Sequence, residues 1–183
     1  LAGASSRLIS LEDKLVKTNT TAAELTKAIE AATTARAGFK TGEDQPSDEK
    51  ILAKTAMMFY NDVDKNQHPI GFYEGIKNAY GSLNDEATFK LWARDVFTKT
   101  MMLDDAKWKA FTDNPTAAAL QQDPAFAYAA EFTKNYTGKY SSLYTAFVNN
   151  NNELGRLYLK GIMEMNPAAV NKMYPDANFS MRV

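Results

Sequence analysis

Apolar side chains recur at helical spacing through most of this chain, and this periodicity is the feature that most limits its fold. The pattern is longest between Phe126 and Met165, where one apolar face persists over about forty residues. Gly138 is the residue most able to interrupt that run, because glycine weakens a helix. The sequence therefore predicts two long C-terminal helices within an all-α, irregular multi-helix bundle.

Capping signals predict shorter helices in the rest of the chain. Thr21 and Glu24 have the spacing of a capping box, which opens a helix that we expect to end at Gly38. Further helix starts are predicted at Ser47, Pro69, Asn84–Asp85–Glu86, Asp104–Asp105, Asn114–Pro115 and Asp123–Pro124. The polar stretch 40–47 predicts a mobile loop. Residues 1–45 would comprise an N-terminal helical pair and this loop, which joins the pair to a main helical domain, residues 46–173.

The composition argues against several classes of protein. The 21 Lys and Arg residues and 22 Asp and Glu residues give a net charge of -1, which disfavours nucleic acid or an anionic membrane surface as a partner. No apolar run approaches the ~18 residues of a membrane span. The chain has no cysteine and only one histidine, His68, so a Ser-His-Asp triad or a histidine zinc site would depend on that residue.

A short acidic segment resembles the beginning of a calcium loop. Asp62, Asp64 and Asn66 supply alternate oxygen donors. Gln67 and Tyr73, however, stand where such a loop requires Gly and Glu. We therefore interpret the segment as the end of a helix and the entry to a loop.

Other candidate residues also have simpler structural interpretations. His68 precedes a predicted helix without a second histidine or a cysteine, so we interpret it as a capping or loop residue. Asp104 and Asp105 are adjacent and would point in different directions on a helix, which favours a cap over a catalytic acid pair. The paired methionines are typical of core filling. We predict no catalytic residue, no metal site and no cofactor.

The periodicity changes near the C-terminus. Residues 174–178 are a turn signal, and Phe179, Met181 and Val183 then alternate with polar residues at strand spacing. Because one strand cannot satisfy its backbone hydrogen bonds alone, a sheet is expected elsewhere. We therefore expect the chain to be part of a larger protein, with residues 174–183 as the junction. The junction residues would be Tyr174, Pro175, Asp176 and Asn178.

Two C-terminal segments carry a resemblance to a known family. They are GRLYLKGIMEM at 155–165 and YPDANFSMRV at 174–183, and they resemble bacterial serine dipeptidyl peptidases of the dipeptidyl peptidase seven and eleven type. The resemblance is specific for residues 154–183, extends back to about residue 50, and is poor over residues 1–45. Enzymes of this family release dipeptides from the free N-termini of oligopeptides.

The resemblance implies a chymotrypsin-like double β-barrel with a His, Asp and Ser triad, and a helical domain that covers the active site. This chain would belong to the helical domain, and the strand from Phe179 would return to the absent barrel. The chain has no Gly-x-Ser-Gly-type sequence, so no catalytic residue carries over, its substrate-binding residues are unknown, and we expect it to be inactive alone. The implied partners are a peptide substrate and the catalytic β-barrel domain of the same polypeptide, with a homodimer left open. The implied location is periplasmic or secreted.

Two alternatives from other classes stay open. The first is a non-enzymatic helical module that holds a peptide or a partner helix in an aromatic and Met-rich groove. The second is a calcium-binding helical protein built on the segment from Asp62 to Asn66.

Overall fold

The computed structural model describes residues 2–42 and 45–170, and it is helical through most of these ranges. The α-helices are α1 (Ala2–Val16), α2 (Ala22–Gly42), α3 (Gln45–Asp62), α4 (Ile70–Tyr80), α5 (Glu86–Lys99), α6 (Asp105–Asp113), α7 (Ala117–Gln121), α8 (Pro124–Lys139), α9 (Ser141–Met165) and α10 (Pro167–Val170). A 3₁₀ turn at Lys65–Gln67 lies between α3 and α4. The all-α prediction is confirmed. The expected strand from Phe179 and the junction residues Tyr174, Pro175, Asp176 and Asn178 lie outside the described residues.

Most helix starts use the caps that the sequence predicts. At α2, the amide of Glu24 donates to the hydroxyl of Thr21 at 3.3 Å, and the amide of Thr21 donates to the carboxylate of Glu24 at 2.9 Å. This reciprocal pair satisfies two amides that a helix N-terminus leaves without helical partners. Asp85 caps α5 and Asp104 caps α6, each by accepting one hydrogen bond from a first-turn amide through its side-chain oxygen.

Two predictions around the first loop are wrong. α2 does not end at Gly38 but continues to Gly42, because Phe39 is buried and holds the next turn against the core. α3 begins at Gln45 rather than Ser47, since Pro46 suits the first turn of a helix. Residues 40–42 and 45–47 of the predicted loop are therefore helical.

The start of α7 is also displaced from its predicted position. Its N-cap is Thr116, whose hydroxyl accepts a hydrogen bond from the amide of Ala119 at 3.2 Å. The predicted start at Asn114–Pro115 falls before that cap, and Asn114 instead ends α6. The threonine hydroxyl satisfies an amide of the first turn, which a proline ring cannot do.

The chain divides into two compact units, one up to Gly138 and one from Lys139 onwards. The division coincides with the interruption predicted at Gly138, and α8 and α9 are the two long helices expected there. The division into residues 1–45, 46–173 and 174–183 stays a prediction. Among the described residues, no helix is long and apolar enough to cross a membrane.

An aromatic core holds the first unit together. The ring of Phe72 lies 5.1 Å from those of Trp92 and Phe132, so it joins α4 to α5 and α8 in edge-on contacts. Leu8 and Leu11 of α1 are fully buried in the same core. Each such side chain contributes about 1.5–3 kcal/mol through burial.

The second unit has a different character. α9 spans 25 residues and none of its side chains is buried. Its large apolar side chains are exposed, with Phe147 at 64% and Tyr158 at 74%. This face has the predicted helical period, and within the described part of the chain it is not buried in a core.

Candidate functional site

An open groove of about 620 Å³ lies in the first unit, where α5, α6, α7 and α8 come together. Its floor is apolar and includes the buried side chains of Met101 and Phe111. Its rim is polar and comprises Lys99, Lys107, Asn114, Thr116 and Gln122. An apolar floor with a few polar groups around it is the common form of a ligand pocket.

Asp123 fixes one wall of the groove. Its carboxylate is 4% exposed and accepts hydrogen bonds from the hydroxyl of Thr100 at 3.0 Å and the amide of Met101 at 2.7 Å. The amides of Ala125 and Phe126 donate to it at 2.9 and 3.1 Å. Because four groups from two segments converge on it, Asp123 joins the end of α5 to the start of α8 and is not a free acid.

The charges at the rim are bound to neighbouring groups. The ammonium of Lys107 donates to the carbonyl of Lys99 at 3.0 Å, and Lys99 forms an ion pair with Asp95. Asn114 and Gln122 place exposed amides there, which can donate to and accept from a peptide backbone. No histidine is among the groove's described lining residues, and its buried carboxylate is fully engaged. An apolar floor with polar groups at its rim is suited to binding a ligand.

His68 lies in the core, away from the residues that line the groove. It ends the 3₁₀ turn, its Nε2 is 2.9 Å from the carbonyl oxygen of Val63, and the residue is 5% exposed. The rings of Tyr60 and Tyr73 lie 5.3 and 5.1 Å from the imidazole. The capping interpretation of His68 is confirmed, since its backbone amide donates to the carbonyl of Lys65 and closes the 3₁₀ turn.

The segment that resembled a calcium loop forms a helix end and a turn. α3 ends at Asp62, and the carboxylate of Asp64 accepts a hydrogen bond from the amide of Asn66 at 3.3 Å, which starts the 3₁₀ turn. Over residues 2–42 and 45–170, no three His, Asp or Glu side chains are grouped to hold a metal ion.

Asp104 and Asp105 have separate structural roles. Asp104 caps α6, whereas the carboxylate of Asp105 is 2.6 Å from both Nζ of Lys40 and Nη2 of Arg36. The hydrogen bonds from Lys40 and then Arg36 lower the pKa of Asp105 to about 2. The Arg36 guanidinium is also 5.5 Å from the ring centre of Trp108, so this cluster attaches α2 to α6.

Tyr80 is a further titratable group with a shifted pKa. Its hydroxyl donates to the carboxylate of Asp95 at 2.8 Å. Burial, followed by this hydrogen bond and the negative charge of Asp95, raises the pKa of Tyr80 to about 12. The hydroxyl therefore stays protonated at neutral pH and does not act as a base.

Together, the helical fold and the groove define an all-α domain with an open surface groove. The sequence profile of the peptidase S46 family matches residues 1–183. The chain belongs to the peptidase S46 family, which confirms the resemblance found in the sequence.

Two curated proteins are similar to this chain in sequence. The Asp/Glu-specific dipeptidyl-peptidase of Flavobacterium psychrophilum is 26% identical over 139 residues, which cover 74% of this chain and 18% of that protein. Dipeptidyl-peptidase 7 of Capnocytophaga gingivalis is 28% identical over 95 residues, which cover 52% of this chain and 13% of that protein. The matched part of the chain thus spans less than a fifth of either relative. No solved structure matches it.

Proposed function

We propose that this chain is the helical domain of a dipeptidyl peptidase that releases dipeptides from the free N-termini of oligopeptides. The observation that carries the proposal is the family match over the whole chain. Both curated relatives bear the name of dipeptidyl-peptidases, which supports the same activity.

Within that enzyme the chain would cover the active site. An exopeptidase must close the space beyond the substrate's N-terminus, and a helical unit with a packed aromatic core is rigid enough to do so while excluding water. The catalytic serine triad would lie in a chymotrypsin-like β-barrel of the same polypeptide. The much greater length of the relatives supports this arrangement. A periplasmic or secreted location is part of the same proposal.

The groove would contact the peptide. Its apolar floor at Met101 and Phe111 can take a side chain, and the amides of Asn114 and Gln122 can pair with a peptide backbone. The lining is polar at the rim and apolar below, which suits an extended segment of mixed composition.

The activity is tested with the longer polypeptide that would carry this sequence, compared with the 183-residue chain alone. We expect the polypeptide to release dipeptides from peptides with a free N-terminus and to spare the N-acetylated peptides. We expect no turnover by the chain alone. If the polypeptide released no dipeptide, the non-enzymatic binding module would be the better account.

The groove is tested separately in that polypeptide with Ala110→Trp. Ala110 lines the groove, and an indole there would fill it, so we expect KM to rise about tenfold, equivalent to about 1.4 kcal/mol. Ala106→Trp is the matched control, because Ala106 is an exposed alanine of α6 that does not line the groove. An unchanged KM for Ala110→Trp would show that the groove does not contact substrate, whatever the outcome for the activity.

A further inference from the structure

A second concave site lies in the first unit, in a cleft of about 520 Å³ between α3 and α5. Its floor is the buried residue Ala53. The other lining residues are all charged, and they are Glu49, Lys50 and Lys54 of α3 and Glu86, Lys90 and Arg94 of α5. Four positive and two negative charges thus come together on a chain whose net charge is only -1. The α3–α5 cleft is therefore a local concentration of positive charge.

The two glutamates lie at opposite ends of the cleft. At one end, Nε of Arg94 is 3.9 Å from a carboxylate oxygen of Glu49. At the other end, Nζ of Lys90 is 2.9 Å from a carboxylate oxygen of Glu86. The hydrogen bond and charge of Lys90, and then the charge of Lys54, lower the pKa of Glu86. Because Glu49 of α3 is near Arg94 and Glu86 of α5 is near Lys54, the two helices are antiparallel along the cleft.

The cations of the cleft form two rows. Lys50 and Lys54 are exposed and lie one helical turn apart on α3, which is about 6 Å along the helix axis. No carboxylate that the structure describes is within ion-pair distance of either ammonium group. Lys90 and Arg94 have the same spacing on α5, and more than half of each side chain is exposed. The cleft therefore offers two pairs of cations, about 6 Å apart along the helices.

We propose that the α3–α5 cleft binds an extended acidic peptide segment with carboxylate side chains two residues apart. Such side chains point to the same side of an extended peptide and are about 6.5–7 Å apart, which matches the spacing of the cation pairs. One carboxylate would lie between Lys50 and Arg94. The other would lie between Lys54 and Lys90. The planar guanidinium of Arg94 can bind its carboxylate through two parallel N–H groups.

The two glutamates disfavour other anions. Glu49 and Glu86 would repel the continuous charge of a nucleic acid backbone along the cleft, whereas two separate carboxylates can lie between the cations. A single compact anion would contact only one of the two cation pairs. The described lining residues of the cleft and of the groove have no member in common. The proposal therefore concerns a second site and does not rest on the proposed function.

The first test is an NMR titration of the nitrogen-15-labelled 183-residue chain with the peptide acetyl-Glu-Ala-Glu-amide. Both ends of this peptide are blocked, so its charges are the two side-chain carboxylates. At about 20 mM salt we expect a Kd of about 1 mM, with the shifted amides within residues 49–54 and 86–94. At about 300 mM salt the Kd should rise severalfold, because salt screens exposed charges. The control peptide acetyl-Gln-Ala-Gln-amide should cause no saturable shift.

The second test removes two cations of the cleft. The double variant Lys50→Gln with Lys54→Gln should raise the Kd for acetyl-Glu-Ala-Glu-amide at least about tenfold, because each carboxylate loses one of its cations. The matched control is Lys27→Gln with Lys77→Gln, which removes the same charge at two exposed positions outside the cleft. It should leave the Kd within about twofold. All four lysines are exposed, so both double variants should keep the wild-type fold.

Several outcomes would overturn the proposal. One is the absence of saturable shifts up to about 10 mM acetyl-Glu-Ala-Glu-amide. Equal weakening in the two double variants would show attraction to the overall charge of the chain and not to the cleft. Glutarate binding as tightly as the peptide would show a site for small dicarboxylates. Shifts confined to the residues of the groove would place the acidic peptide there.

Discussion

The amide of Met101 donates a 2.7 Å hydrogen bond to the carboxylate of Asp123, so the segment that follows α5 is bonded to the residue that precedes α8. Asp123 accepts from two further amides and from the Thr100 hydroxyl. The wall of the groove thus depends on one buried side chain.

Asp123→Asn should lower the free energy of unfolding by about 2–3 kcal/mol. The new amide nitrogen would face amides that now donate to an oxygen, which leaves buried donors without acceptors. Urea unfolding followed by tryptophan fluorescence measures the change. Asp113→Asn is the control, because Asp113 is 61% exposed and forms a surface ion pair with Lys109, and it should change stability by less than about 0.5 kcal/mol.

The pKa of Asp105 predicts a pH dependence in acid. Lys40 and Arg36 lower that pKa from 3.8 to about 2, so the folded state favours the ionised carboxyl. The stabilisation is therefore present above about pH 4 and is lost as the pH falls towards about 2. Asp105→Asn should destabilise the chain at neutral pH, and the difference from wild type should disappear over that interval. A difference that stays constant down to pH 2 would show that the ion pairs do not stabilise the fold.

A side chain at Gly81 should destabilise the fold, because its φ of 116° and ψ of -151° lie where residues with a Cβ are strained. Gly81→Ala should cost about 1–3 kcal/mol in unfolding measurements. Gly75→Ala is the matched control, since Gly75 lies within α4 and a Cβ there would meet no atom within 4 Å. That variant should stabilise the chain by about 0.5–1 kcal/mol.

The Tyr80 hydroxyl should titrate near pH 12, and carbon NMR of its ring is the direct measurement. Its pKa is raised in the folded state, so the stabilisation is intact below about pH 10 and is lost as the pH rises towards about 12. Asp95→Asn should shift the titration of Tyr80 towards lower pH, because it removes the adjacent negative charge. An unchanged titration in that variant would assign the shift to burial alone.

Much of the fold could be predicted from local sequence, because helix starts depend on contacts between near neighbours. The reciprocal pair of Thr21 and Glu24 is one example. The predicted end of α2 at Gly38 was wrong. The burial of Phe39 against residues outside the helix outweighed the low helix propensity of glycine. Local signals contain no information on such contacts.

The groove could not be predicted in the same way. Met101, Phe111 and Asn114 lie in separate segments and come together only when the helices pack. The bond from Arg36 to Asp105 spans 69 residues and likewise has no local signal. For this reason, two short C-terminal segments of the sequence were enough to indicate the family, but no local pattern indicated the groove.

His68 can serve as an NMR probe of folding. It is the one histidine of the chain, and its imidazole lies against the rings of Phe59, Tyr60 and Tyr73. Its ring protons should give a single pair of resonances, displaced by the ring currents of those neighbours. These resonances would provide a label-free report on the integrity of the aromatic core. Any variant named above could be checked for native packing from this one signal.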